Sequence, residues 1–191
     1  MQTLKKEINL VEKMIKKDVA SEATVKILYK HIFRSDGKKI RARLNLISSS
    51  FNRNKNKIYR IKLAAIIELL HTATLVHDDV VDNSSIRRGN KSVNSVWSNA
   101  HGVLIGDYIY SKAFIYMVDI GNQKILQELS NATNDISQGE LIQLDAINNK
   151  EITINKLKKI SYFKTGRLFE ASAKTGAMLA GANKKYIDNI S

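Results

Sequence analysis

Three groups of charged residues have types and spacings that suit a divalent cation and phosphoryl oxygens. The first is Asp78-Asp79-Val80-Val81-Asp82. On a helix, positions i and i+4 share a face, so Asp78 and Asp82 project together, with Asp79 near the same edge. Carboxylates this close repel one another unless a cation lies among them. Oxygen ligands at this spacing suit Mg²⁺, which takes one or two carboxylates and completes its shell with water and phosphate. A bare pattern of this kind is equally a solvated acidic helix end. Here the preceding residues 58–77 are mostly apolar with few charges, so the acids emerge from a core helix rather than a wet surface. Five residues on stand Arg87-Arg88-Gly89, on an expected loop, suited to bidentate grip of phosphoryl oxygens. Upstream, Gly37-Lys38-Lys39-Ile40-Arg41-Ala42-Arg43 puts cations where a turn opens a helix, a place that already favours an anion. Each basic group alone reads as a solvated face. Together the three describe two phosphate groups around a metal cluster.

The elements that must position them read as helices. The chain has 191 residues, no proline, nine glycines and no cysteine. Absence of proline removes the strongest helix breaker, and absence of cysteine excludes disulfides, thiolate metal sites and a cysteine nucleophile. Leu4, Ile8, Val11 and Ile15 mark an amphipathic helix over 4–16. Further helices are expected at 22–33, 58–77 running on through the aspartates, 101–119, 122–147 and 152–181. No alternating strand pattern competes, and no repeat or linker divides the chain. The expectation is a single all-α domain over residues 1–191. The net charge of +13 arises from lysines scattered among Asn and Ile, without an Arg-rich or aromatic-interleaved tract, so nucleic acid is not expected as a partner. No apolar run approaches a membrane span, and the charged N-terminus lacks a secretory core; the expected location is the cytoplasm.

In order along the chain, Gly37–Arg41, Glu68–Asp82, Arg87-Arg88-Gly89, Gly106-Asp107-Tyr108, Gln138–Leu144 and Tyr162–Ala171 resemble the polyprenyl diphosphate synthases, nearest to octaprenyl-forming members from bacteria. The resemblance implies an all-α helical bundle of the isoprenoid synthase type. It implies a Mg²⁺-dependent prenyltransferase that condenses isopentenyl diphosphate with an allylic diphosphate such as farnesyl diphosphate. The product would be a long polyprenyl chain of about eight isoprene units, for a quinone side chain. Carried over residue by residue, Asp78 and Asp82 would hold Mg²⁺, with Asp79 in support. Lys38, Arg41, His71 and Arg88 would bind isopentenyl diphosphate, and Arg87 the allylic diphosphate. Lys164 and Thr165 would contact the allylic leaving group, and Gln143 belongs to the same substrate-binding set. Small residues at Ala73 and Thr74, one turn before Asp78, would let the growing tail pass; the other reading is that they are small for close helix packing. His77 reads as structural and Lys174-Thr175 as an ordinary helix-face pair. A homodimer is also implied.

Three positions depart from the family pattern: Asp36 for glycine, Ala42 for proline and Lys39 for arginine. A second Asp-rich motif is due shortly after Tyr186–Ser191 and does not appear, so the expected bundle lacks its C-terminal helices. That leaves an alternative function, a catalytically inactive chain that binds or regulates an intact synthase. A terpene cyclase sharing the aspartate logic has no use for Lys38, Arg41 and His71.

Overall fold

A computed structural model describes residues 2–17, 19–35, 37–50, 57–147 and 152–190. Asp36 and Ser191, both singled out above, lie outside the described residues. The fold is all-α, built on α1 (Gln2–Lys16), α2 (Ala23–Ile32), α3 (Ile40–Ser48), α4 (Lys57–Val81), α5 (Val93–Val96), α6 (Asn99–Ile120), α7 (Gln123–Ile147), α8 (Ile154–Ser161), α9 (Arg167–Leu179) and α10 (Lys184–Ile190). No helix among the described residues is long and apolar enough to cross a membrane.

α4 is the central element. From Arg60 to Leu70 every residue except Lys62 is buried, so this stretch meets protein on almost every side: α1, α3, α6 and α9 pack around it. The amphipathic stripe of α1 does what its spacing predicts, burying Ile8, Val11 and Ile15 against this core. Arg60 is 1% exposed, and its guanidinium donates to Glu7 Oε1 (2.9 Å), Ser49 Oγ (2.9 Å) and the Leu46 carbonyl (3.0 Å). A buried charge with its donors satisfied in this way holds α1 and α3 in register on α4. Local chemistry sets the helix ends. Ser98 Oγ caps α6 by accepting from the His101 N–H, Thr153 Oγ1 does so for α8, and Gly121 (φ 65°) ends α6 in the left-handed region.

Two departures from the sequence expectation bear on the site. Arg87-Arg88-Gly89 is not a loose loop. β1 (Ile86–Arg87) and β2 (Asn90–Lys91) form a small antiparallel hairpin, and Arg88 (φ 51°) and Gly89 (φ 75°) make its two-residue turn. Both turn residues at positive φ match the right-handed twist of the flanking strands. Two paired residues per strand are too few for an alternating pattern to show. The single helix expected over 152–181 is α8 and α9 joined by a π-helical turn, Tyr162–Gly166. Helical spacing continues on both sides of the turn, which hides the interruption from periodicity.

Candidate active site

α4 delivers the aspartates by stopping just there. Asn83 takes a left-handed conformation (φ 51°); its N–H bonds the Val80 carbonyl and the Ser84 N–H bonds the Asp79 carbonyl (2.9 Å). This paired closure, with asparagine at the left-handed position, satisfies the last carbonyls of the helix. The chain then turns into the hairpin, which folds back so that Arg87 donates from both Nε and Nη2 to Asp79 Oδ1. Asp79 is buried, and this bond holds the Arg87 guanidinium above its ordinary pKa. The expectation of three carboxylates at one edge is therefore corrected. Asp79 turns from Asp78 and Asp82 toward Arg87, because a buried carboxylate needs a counter-charge and the hairpin brings one.

Asp78 looks the other way, toward α7 and the π turn. Its carboxyl is pushed up to about 6, first by burial and then by Glu140; Asp82 raises it further, while Lys164 and Arg87 oppose the rise. Lys164 Nζ donates to Glu140 Oε2 at 2.9 Å. The close approach depends on Gly139, where a Cβ would lie 2.7 Å from that of Phe163 and 3.1 Å from the Lys164 nitrogen. The π turn thus presses against α7 and carries Lys164 to the acidic face. Among the described residues no set of three His, Asp or Glu side chains is gathered to hold a metal. Asp78 and exposed Asp82 stay close enough to interact, Asp82 raising the Asp78 carboxyl. Burial first, and then the negative charge of Glu140 and Asp82, disfavours the Asp78 carboxylate; a hard cation would relieve both, so Asp78 and Asp82 would fit Mg²⁺ completed by water and phosphate.

The cationic wall lies about two turns back along α4, around His71. Arg41 Nη1 donates to His71 Nε2 at 3.1 Å, and its guanidinium lies 4.3 Å from the centroid of the Phe169 ring. Since arginine only donates, His71 Nε2 accepts and the ring is neutral. Burial first, then the charges of Arg41, Arg88 and Arg87, lower His71 to about 3. Arg88 reaches the same region from the hairpin: its guanidinium occupies the space a Cβ on Gly37 would need, at 2.6 Å. Between them Glu68 is buried, its carboxyl raised by that burial, and its Oε1 accepts from the Ala42 N–H at 3.1 Å. A proline at position 42 has no N–H for this bond. Lys39 pairs with Glu12 at 2.7 Å, which ties the turn to α1. A small cavity of about 80 Å³ opens here, bordered by Lys39, Glu68, Asp79, Arg87 and Arg88.

Of the residues singled out in the sequence, Arg41, His71 and Arg88 come together on one wall, and Asp78 and Lys164 on the other. Lys38 and Thr165 are exposed and Gln143 is half-buried. Ala73 is fully buried on the α4 stripe of His77 and Val80, side chains that meet α6 at Gly106 and Gly102; Thr74 lies on the Asp78 side and donates to the His71 carbonyl. Lys174 pairs with Glu128 at 2.9 Å, an ordinary ion pair. Sequence reasoning passed over Glu140, Glu68 and Phe169 as site residues. All three stand inside segments already noted, but only packing shows that they hold Lys164, the α3 entry and Arg41.

An all-α bundle whose central helix ends in aspartates, faced by a lysine on one side and arginines on the other, defines the α-helical isoprenoid synthase class. The Polyprenyl synthetase family profile matches residues 22–191, and the chain belongs to that family. It is 40% identical over 172 residues to the all-trans-nonaprenyl-diphosphate synthase (geranyl-diphosphate specific) of Rhodobacter capsulatus, covering 90% of this chain and 53% of the relative. It is 41% identical over 151 residues to octaprenyl diphosphate synthase of Escherichia coli, covering 79% and 46%. Among solved structures it superposes on a polyprenyl synthase from Caulobacter crescentus, complexed with calcium and isoprenyl diphosphate, with a TM-score of 0.92. That match has 30% identity and covers 99% of this chain and 58% of that one. The chain spans about half the length of these curated relatives.

Proposed function

We propose that this chain carries the substrate-binding half-site of a Mg²⁺-dependent long-chain trans-prenyltransferase. The reaction condenses isopentenyl diphosphate with an allylic diphosphate. The observation that carries the reading is the use of α4 at two levels: Asp78 meets Lys164 near its end, while Arg41 and Arg88 gather about neutral His71 two turns earlier. Two diphosphates need two anion sites with their carbon ends converging between them, and one helix serves both.

Arg41, Arg88 and Lys38 bind the diphosphate of isopentenyl diphosphate, and His71 positions Arg41 by accepting its N–H. Lys164 and Thr165, with Arg87, meet the allylic diphosphate, and Gln143 lies beside them on α7. Asp78 and Asp82 would hold Mg²⁺, which would supply Lewis-acid stabilisation to the departing diphosphate. The allylic C–O bond breaks with its electron pair leaving on the diphosphate oxygen, the alkene of isopentenyl diphosphate attacks the resulting cation, and a proton is lost. Donors fixed before reaction stabilise that leaving charge without reorganising. No side-chain nucleophile is required.

The same reading includes a long product, of about eight isoprene units as in the octaprenyl relatives, destined for a quinone side chain, with Ala73 and Thr74 leaving room for the tail. It includes a cytoplasmic homodimer. One face of α6 exposes Leu104, Ile115 and Val118 at 68%, 62% and 69%, within about 60° of one another round the helix, an apolar surface suited to a second copy. The test uses radiolabelled isopentenyl diphosphate with farnesyl diphosphate and a protein of the relatives' full length carrying this sequence. Butanol-extractable label forms only with Mg²⁺, and sedimentation gives a dimer. No incorporation with the metal present would overturn the catalytic reading and favour the alternative, a chain that binds or regulates an intact synthase.

A further inference from the structure

Beside α2, on the outer side of Phe33, lies a cleft of about 460 Å³ that prenyl transfer does not use. Lys16 at the end of α1, Lys26 and Lys30 on α2, and Arg34 just beyond it border the cleft, and all four are exposed. Its inner wall is aromatic. Tyr29 is buried, and half-buried Phe33 packs on it with ring centroids 4.5 Å apart. No carboxylate is among the described residues lining the cleft, and none of the four cations has an ion pair with a described residue.

Lysines at helix C-termini ordinarily complement the helix dipole, and magnitudes decide whether that suffices here. Each terminus presents roughly half a negative charge, so the ends of α1 and α2 together offset about one of the four cations. Much of the α1 end is already met by donors from the core. Tyr29 donates to the Ile15 carbonyl (2.7 Å), Tyr116 to that of Met14 (3.3 Å), and Lys112 to those of Ile15 (3.2 Å) and Lys17. Lys112 is itself buried, with its ammonium 5.0 Å from the Tyr29 ring centroid. The surplus is an attractive field concentrated in a concavity.

We propose that this cleft is a second binding site, for a phosphorylated anion, independent of the prenyl-transfer reading. The volume falls within the roughly 300–1,000 Å³ of small-molecule sites. The Arg34 guanidinium suits bidentate contact with phosphoryl oxygens, the lysines supply further charge, and the Phe33 ring offers a platform for an organic body. Phe33 also borders the small cavity at Glu68 and Arg88, so an occupant touches a ring shared with the substrate wall.

Lysine acylation read by peptide mass spectrometry tests the site directly, in Mg²⁺-free buffer of constant ionic strength. One arm adds inorganic diphosphate against chloride; the other adds phosphatidylcholine vesicles with or without phosphatidylglycerol. Labelling of Lys26 and Lys30 is expected to fall about threefold at two-thirds occupancy, while exposed Lys184 and Lys185 on α10 stay unchanged. Protection by diphosphate assigns the site to a free phosphate, and protection by anionic vesicles alone assigns it to a lipid headgroup. Protection in neither arm, or an equal fall at Lys184 and Lys185 that signals mere screening, overturns the proposal. Protection at Lys38 and Lys164 without Lys26 and Lys30 also overturns it, and leaves the prenyl-transfer reading intact. The K26Q/R34Q variant changes only exposed side chains and should lose the protection of Lys30; protection retained there equally overturns the site.

Discussion

His71 shows how neighbours rewrite a side chain's chemistry. Burial and three arginines hold it at about 3, below its ordinary value near 6.5, so it stays neutral and accepts from Arg41. The unfolded chain therefore takes up a proton that the folded chain refuses. This contribution to stability is intact above about pH 6.5 and declines as pH falls toward 3. His71→Gln removes that titration. In thermal melts between about pH 7.5 and 4.5, the Tm of the wild type should fall more steeply than that of H71Q; parallel curves would contradict a neutral buried imidazole. Asp79 makes the same point from the acidic side. Its neighbours in sequence are acids and valines, yet its working partner is Arg87, eight residues on and across a hairpin.

Glycines set how closely the elements carrying these side chains approach. A Cβ on Gly176 of α9 would fall 2.5 Å from the Asn45 carbonyl oxygen of α3. That neighbour is backbone, so it cannot swing aside as a side-chain end can. Gly176→Ala must separate the two helices and strain the seam that lays Arg41 over Phe169. The expected loss is about 1–3 kcal/mol, the usual cost of overpacking. It would appear as a lower urea midpoint with an unchanged slope, and an unchanged midpoint would mean that the helices tolerate separation. The π turn belongs to the same scale. One extra residue in a helical turn, seated against Gly139, brings Lys164 to Glu140.

At the scale of the whole molecule, product length is a question of where the tail runs beside α4. Thr74 lies below Asp78, whereas Ala73 faces the α6 seam and is fully buried. In an active full-length protein bearing this sequence, Ala73→Tyr should shorten the product to about three or four isoprene units, by placing a ring roughly one helical turn from the aspartates. Thin-layer analysis of dephosphorylated products reads the outcome. Unchanged length in a folded, active variant would show that the tail does not pass this turn, and that Ala73 is small for packing alone.

The helices were legible in the sequence because burial imposes a period. Ile8, Val11 and Ile15 repeat at three and four, and the apolar run before Asp78 marks a helix surrounded by protein. The clusters at Gly37–Arg43, Asp78–Asp82 and Arg87–Gly89 were legible too, because like charges concentrate where an anion or a cation is to be held. What they touch was not. Asp79 turned to Arg87, Glu140 reached Lys164, and Arg41 stacked on Phe169 across 128 residues of chain, because such pairings depend on helix rotation and on the close approaches that Gly37, Gly139 and Gly176 permit. Local pattern determines which face of each helix is buried; only the tertiary packing decides which buried faces meet.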